Sequence, residues 1–242
     1  MDWQRHVHRD RNALAEAVAE RIVALAGSGR PERPFQLALA GGRTPRDVYR
    51  RLQDHDLDWA AVEVWFGDER DVAPMHPDSN YRMAQETLLD RVPVPAERIH
   101  PMRTPGTGLR QDAARYARLL RTRLADAHGW PRFDLVLLGL GRDGHTASLF
   151  PHTCVLHQRD LAVAAVHVPQ LRAWRMSLTL PVLEHAAHLL FLVSGADKAP
   201  VLRQAWDPAP TLDLPVLRIH AQGLVEWHVD RAAAGSGQAV PR

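Results

Sequence analysis

The densest run of reactive side chains is Asp143-Gly144-His145, with Thr146 and Ser148 just beyond it. An acid two residues before an imidazole, on a glycine-rich bend, can hold and orient that ring. An imidazole, with an ordinary pKa of about 6.5, moves protons near neutral pH. Three other places set charges or donors beside glycine. Gly41-Gly42-Arg43-Thr44-Pro45 joins pliant backbone, a hydroxyl and a helix-starting proline, a combination suited to an anion. Gly67-Asp68-Glu69-Arg70-Asp71 packs charges behind one glycine. Gly195-Ala196-Asp197-Lys198 carries the only lysine among 30 basic residues, so a compact ammonium on a flexible stem is kept at one place. Each cluster also has a plainer reading. Asp143 could cap a helix with His145 on the surface, and Thr44 could cap a Gly-Gly turn. The run Gly67–Asp71 could be a solvated loop, and the lysine could be a chance survivor.

What unites the clusters is position, since each follows an apolar run. Phe133–Leu138 is short, apolar and bounded by turn signals, as a strand buried on both faces is. Phe35–Ala40, Val62–Phe66 and His188–Ser194 read the same way. Between them the spacing predicts helices over Arg9–Ala26, Arg46–Leu52, Tyr81–Leu89 (capped by Ser79) and Leu109–Ala127. Further strands are predicted at Ile99–Met102, Leu161–Val168, Met176–Leu180 and Leu224–Val229. Strands alternating with helices point to an α/β fold with a doubly wound, mostly parallel sheet and helices on both faces. Ligands in such sheets bind at the C-terminal strand ends, where the four clusters fall. One domain over residues 1–230 and a flexible tail over residues 231–242 are expected.

Composition narrows the function classes. A net charge of +2 over 242 residues gives no basic stripe, so no nucleic-acid partner is expected. No apolar run approaches the roughly 20 residues that span a bilayer, so no membrane partner is expected. The first ten residues lack the apolar core of a secretion signal. A lone cysteine, Cys154, fits a reducing cytoplasm, and neither it nor His157 has metal-ligand spacing. Gly139-Leu140-Gly141 is followed by Gly144, the wrong interval for a dinucleotide fingerprint. A Gly-x-Ser-x-Gly nucleophile elbow is missing too.

In order and spacing, the four clusters resemble those of the 6-phosphogluconolactonases, within a wider family that includes the glucosamine-6-phosphate deaminase/isomerases. Asp78-Ser79-Asn80-Tyr81, Gly141 to Pro151 and Arg175 before Ser177-Leu178-Thr179-Leu180-Pro181 add to the likeness, which runs from the first helix to about Asp230. The resemblance implies a modified Rossmann-like fold with no metal or organic cofactor. It implies a small sugar-phosphate lactone as partner, in a monomer or weak homodimer. It makes His145 the general base or acid beside Asp143, Arg70 a group facing the substrate, and Asp68 a positioner of Arg70 or water. Arg175, Lys198 and the loop Gly41, Gly42, Arg43, Thr44 become the phosphate ligands. The chain departs from the pattern at Arg43, where the family usually has Ser. The deaminase branch carries Glu where this chain has Phe150, and a phenyl ring cannot relay protons, which favours the lactonase branch. The rival expectations are an aminosugar-phosphate deaminase or pentose-phosphate isomerase, and a sugar-phosphate sensor without turnover.

Overall fold

A computed structural model of the chain describes residues 3–127, 129–207, 209–211 and 213–235. The strands are β1 (Trp3–His8), β2 (Phe35–Leu39), β3 (Val62–Phe66), β4 (Asp68–Arg70), β5 (Leu135–Leu138), β6 (Val163–Val168), β7 (Ala173–Leu178), β8 (His188–Val193) and β9 (Leu224–Asp230). The helices are α1 (Arg11–Ala26), α2 (Arg43–Leu52), α3 (Asn80–Ala84), α4 (Leu109–Leu124), α5 (Leu180–His185), α6 (Ala199–Trp206) and α7 (Arg231–Ala234). Six strands form the main sheet in the order β1-β9-β8-β5-β2-β3. Every pairing in it is parallel. Its central strands are apolar on both faces because both faces are covered. Leu135 to Leu137 and Leu189 to Leu190 have no solvent exposure at all.

A second sheet, β4-β7-β6, is antiparallel. Gly67 joins the two sheets. Its N–H donates to the Leu39 carbonyl of the main sheet, while its own carbonyl accepts from the Leu178 N–H of the small one. The chain therefore leaves β3 and pairs at once with β7, setting Asp68 opposite Ser177 and Arg70 opposite Arg175. This sheet corrects the expectation of a loop from Gly67 to Asp71. A three-residue strand made wholly of charged residues carries no alternation to read.

Other differences have equally local causes. β1 alternates polar residues along a sheet edge and offers no apolar run. Ile99–Met102 makes only one bridge, from Ile99 to Val64, because the following proline removes a donor. The helix after Ser79 widens into a π turn over Gln85–Leu89. The strand predicted to run to Leu180 stops at Leu178, and Pro181 sits in the first turn of α5 instead. The tail expected from residue 231 begins as α7. Asp230 accepts from the Ala233 N–H at 2.8 Å, and Ala233 is fully buried. Residues 236–242 of that tail lie outside the described residues. Among the described residues no helix is long and apolar enough to cross a membrane.

Candidate active site

The C-terminal ends of β2, β3, β5 and β8 open onto one cleft. A cavity of about 220 Å³ is lined by Gly41, Gly42, Asp68, Arg70, His145, Arg175 and Lys198, together with Asn80 and Thr146. An adjoining hollow of about 370 Å³ is lined by Arg43, Thr44, Asp197 and Lys198. The two share Gly41, Gly42, Gly139, Leu140 and Lys198 as walls. The imidazole and the ammonium expected at opposite ends of a sugar phosphate thus face the same space. Asp143 alone among the expected residues lines neither hollow. It stands behind the imidazole and borders a separate hollow of about 850 Å³.

The loop after β5 is a series of tight turns, so Asp143 caps no helix. Gly141 N–H donates to the His145 carbonyl at 2.8 Å, and Gly144 N–H donates to the Gly141 carbonyl at 3.1 Å. Gly144 takes a φ of 77°, a left-handed conformation that favours glycine. This winding brings the Asp143 Oδ1 to 2.5 Å from the His145 Nδ1. Burial pushes the Asp143 carboxyl up, but the hydrogen bond and charge of His145 outweigh it and hold the carboxyl below its ordinary range. A Cβ on Gly141 would stand 2.0 Å from His145 Nδ1, so only glycine admits the pair. Phe150 stacks on the imidazole, with centroids 3.9 Å apart and planes at 24°. The Arg175 guanidinium lies 5.7 Å from the centre of the same phenyl ring.

Four cations face the cleft without a carboxylate partner. Among the described residues Arg43, Arg70, Arg175 and Lys198 form no ion pair, and the Arg70 guanidinium donates to the Asp78 carbonyl.

 

The side-chain Nε of both Arg70 and Arg175 is buried without a hydrogen-bond partner. Burial lowers the Arg175 pKa, and the facing Arg70 adds to the effect. Burial also lowers the Lys198 pKa, against the pull of Asp197. Cations crowded together and partly stripped of water are a site for an anion of more than one charge. Two glycines shape the rim with left-handed backbone, Gly42 at φ 106° and Gly195 at φ 105°.

Asp68 lines the cavity, but its carboxylate oxygens are held by groups other than Arg70. Its Oδ2 accepts from Ser148 Oγ at 2.7 Å and its Oδ1 from Asn80 Nδ2 at 3.0 Å. It does not bond Arg70. It ties the turn after β3, the start of α3 and the loop of His145 into one unit. Asn80 also packs where a Cβ on Gly41 would stand, 1.9 Å from its Oδ1, so the first glycine loop joins the same knot. Glu69, fully buried, accepts from the N–H groups of Arg70, Asn80 and Tyr81 and from Ser79 Oγ. Asn80, Ser148 and Glu69 lie in the sequence motifs, but their part in joining these loops depends on contacts the sequence does not show. Thr146 is a further wall residue, and its hydroxyl is buried with no partner.

Residues 9–227 match the family described as glucosamine-6-phosphate isomerases/6-phosphogluconolactonase, and the chain belongs to that family. A 6-phosphogluconolactonase of Nostoc is 42% identical over 208 residues, covering 85% of each chain. One from Synechocystis is 40% identical, covering 91% of this chain and 87% of its own. Among solved structures, the 6-phosphogluconolactonase of Trypanosoma brucei superposes with a TM-score of 0.84 at 30% identity, covering 96% of this chain and 98% of its own. A monomeric glucosamine-6-phosphate deaminase, 21% identical with a TM-score of 0.79, shares the fold.

Proposed function

We propose that this protein hydrolyses 6-phospho-D-glucono-1,5-lactone to 6-phospho-D-gluconate. The observation that carries the reading is the pairing, within one cleft, of a carboxylate-backed imidazole with cations that lack acidic partners. The phosphate dianion sits among Lys198, Arg43 and the Gly41–Thr44 turn, with Arg175 and Arg70 nearer the sugar. Charge-assisted contacts of this kind are strong and fix the reacting end. His145, with Nδ1 held by Asp143, uses Nε2 as general base. It takes a proton from water as the water oxygen bonds to C1. When the bond from C1 to the ring oxygen breaks, His145 returns that proton to the departing alkoxide. The negative charge that builds on the carbonyl oxygen needs a donor. Gly141 and Gly144 commit their N–H groups inside the turn, so the Arg70 guanidinium takes this part. The Thr146 hydroxyl, buried and without a partner, is placed to meet a substrate hydroxyl.

The test follows loss of the lactone against its spontaneous hydrolysis, for the parent and for His145→Ala. Removing a general base costs roughly 10²–10⁴ in kcat. A variant as fast as the parent would remove His145 from its role. Ammonia released from glucosamine 6-phosphate at a comparable rate would move the protein to the deaminase branch instead. Phe150 argues against that outcome, because the side chain stacked on the imidazole cannot carry a proton.

A further inference from the structure

The opposite edge of the main sheet gathers reactive side chains that the cleft does not use. Parallel pairing sets His6 of β1 opposite His228 of β9, and Gln4 opposite Glu226. Alternation along the strands then puts His6, His228 and Glu226 on one face. Glu226 and His228 are buried, at 2% and 4% exposure. His6 Nε2 and His228 Nε2 lie 3.7 and 3.5 Å from the same oxygen, Glu226 Oε2. Both nitrogens are buried without a hydrogen-bond partner. One ligand atom from each of the three residues falls within 4.8 Å of the others.

We propose that His6, His228 and Glu226 form a site for a divalent transition-metal ion of the zinc type, fastening the edge strand β1 to β9. Donors bonded at about 2.1 Å to a tetrahedral ion stand about 3.4 Å apart. The spacings of 3.5 and 3.7 Å need to close by only a few tenths of an ångström. Two imidazoles and one carboxylate suit zinc rather than the all-oxygen shells of calcium or magnesium. The outer partners fit as well. His228 Nδ1 is 3.1 Å from His8 Nε2, a bond that turns Nε2 toward the carboxylate. Arg21 donates to Glu226 Oε1 from Nη2 at 2.6 Å and from Nε at 3.0 Å, and from Nε to Oε2 at 3.1 Å. Its side chain is 33% exposed, so it can keep Oε1 and yield Oε2 to an ion. The His6 side chain is 42% exposed as a whole, although its Nε2 is turned inward toward Glu226. The clamp bears on the cleft indirectly. Asp230, where β9 ends, accepts from Ser194 Oγ and from the Gly195 N–H, at the turn that carries Lys198.

The experiment strips the untagged full chain with a chelator and dialyses it against zinc. Metal content and melting temperature are then read. One equivalent retained per chain and a higher melting temperature are expected for the parent. His6→Ala, at a partly exposed position on the edge strand, should weaken zinc binding at least about tenfold and abolish the rise. His228→Asn should do the same. Cobalt in place of zinc should give the visible absorption of a four-coordinate ion in the parent and lose it in both variants. A parent that retains no stoichiometric metal would overturn the proposal. So would equal affinity in parent and variants, which would assign the metal to other histidines.

Discussion

Gly141→Ala is the sharpest probe of the catalytic loop, because it adds one methyl group and removes nothing. The added carbon would stand 2.0 Å from His145 Nδ1, 2.2 Å from Cε1 and 2.6 Å from Asp143 Oδ1. The ring has to retreat by roughly 1.4 Å to reach ordinary contact. That displacement breaks the 2.5 Å bond to Asp143. A hydrogen bond to a charged group contributes about 1.5–3 kcal/mol, equivalent to roughly 10–150-fold in rate. A displaced catalytic group can itself cost about 10²-fold. A fall in kcat of two to three orders of magnitude is therefore expected. Product affinity should hold, since no cation of the phosphate end is touched. The fold should hold too, since the partly exposed imidazole can swing outward. The assay is lactone loss corrected for spontaneous hydrolysis, with 6-phosphogluconate binding and a thermal melt alongside. A kcat within about threefold of the parent, with the melt unchanged, would show that the imidazole does not work from this position.

Two further outcomes test the surroundings. Glu69→Gln turns an amide N–H₂ toward two of the four donors that the carboxylate now satisfies. Each stranded donor costs about 1–3 kcal/mol, so chemical denaturation should show a loss of about 2–6 kcal/mol. An unchanged midpoint would contradict this bonding pattern. Lys198 is held below the ordinary lysine pKa, so it should lose its charge at a pH lower than about 10.4. Losing a positive charge weakens anion binding, so 6-phosphogluconate affinity should fall as pH rises through that range. Affinity measured by calorimetry that stays level up to pH about 10.4 would remove Lys198 from the phosphate site.

The parallel sheet was legible because four of its strands, β2, β3, β5 and β8, are largely apolar runs of four to six residues, each followed by a glycine-bearing turn. The cluster residues were legible for the same reason, as charges placed at strand ends. What stayed hidden depends on contacts remote in sequence. The resemblance made Asp68 a positioner of Arg70 or water, but nothing in the sequence showed that it bonds Ser148, 80 positions away. β4 is too short and too charged to show a pattern, so the cross-strand approach of Arg70 to Arg175 could not be foreseen. The three polar residues of β1 that line up with Glu226, His228 and Asp230 gave no signal, because an edge strand needs no apolar run.

The phenyl ring of Phe150 limits the routes open to a proton. One face of the His145 imidazole lies against hydrocarbon, and Nδ1 is engaged by the aspartate. Under the proposed mechanism, proton exchange is left to the far edge of the ring, and water and leaving group would call at the same nitrogen in turn. On that proposal the cleft would run a proton out and back through a single port, enough to open an ester but not to relay protons between distant carbons of a sugar.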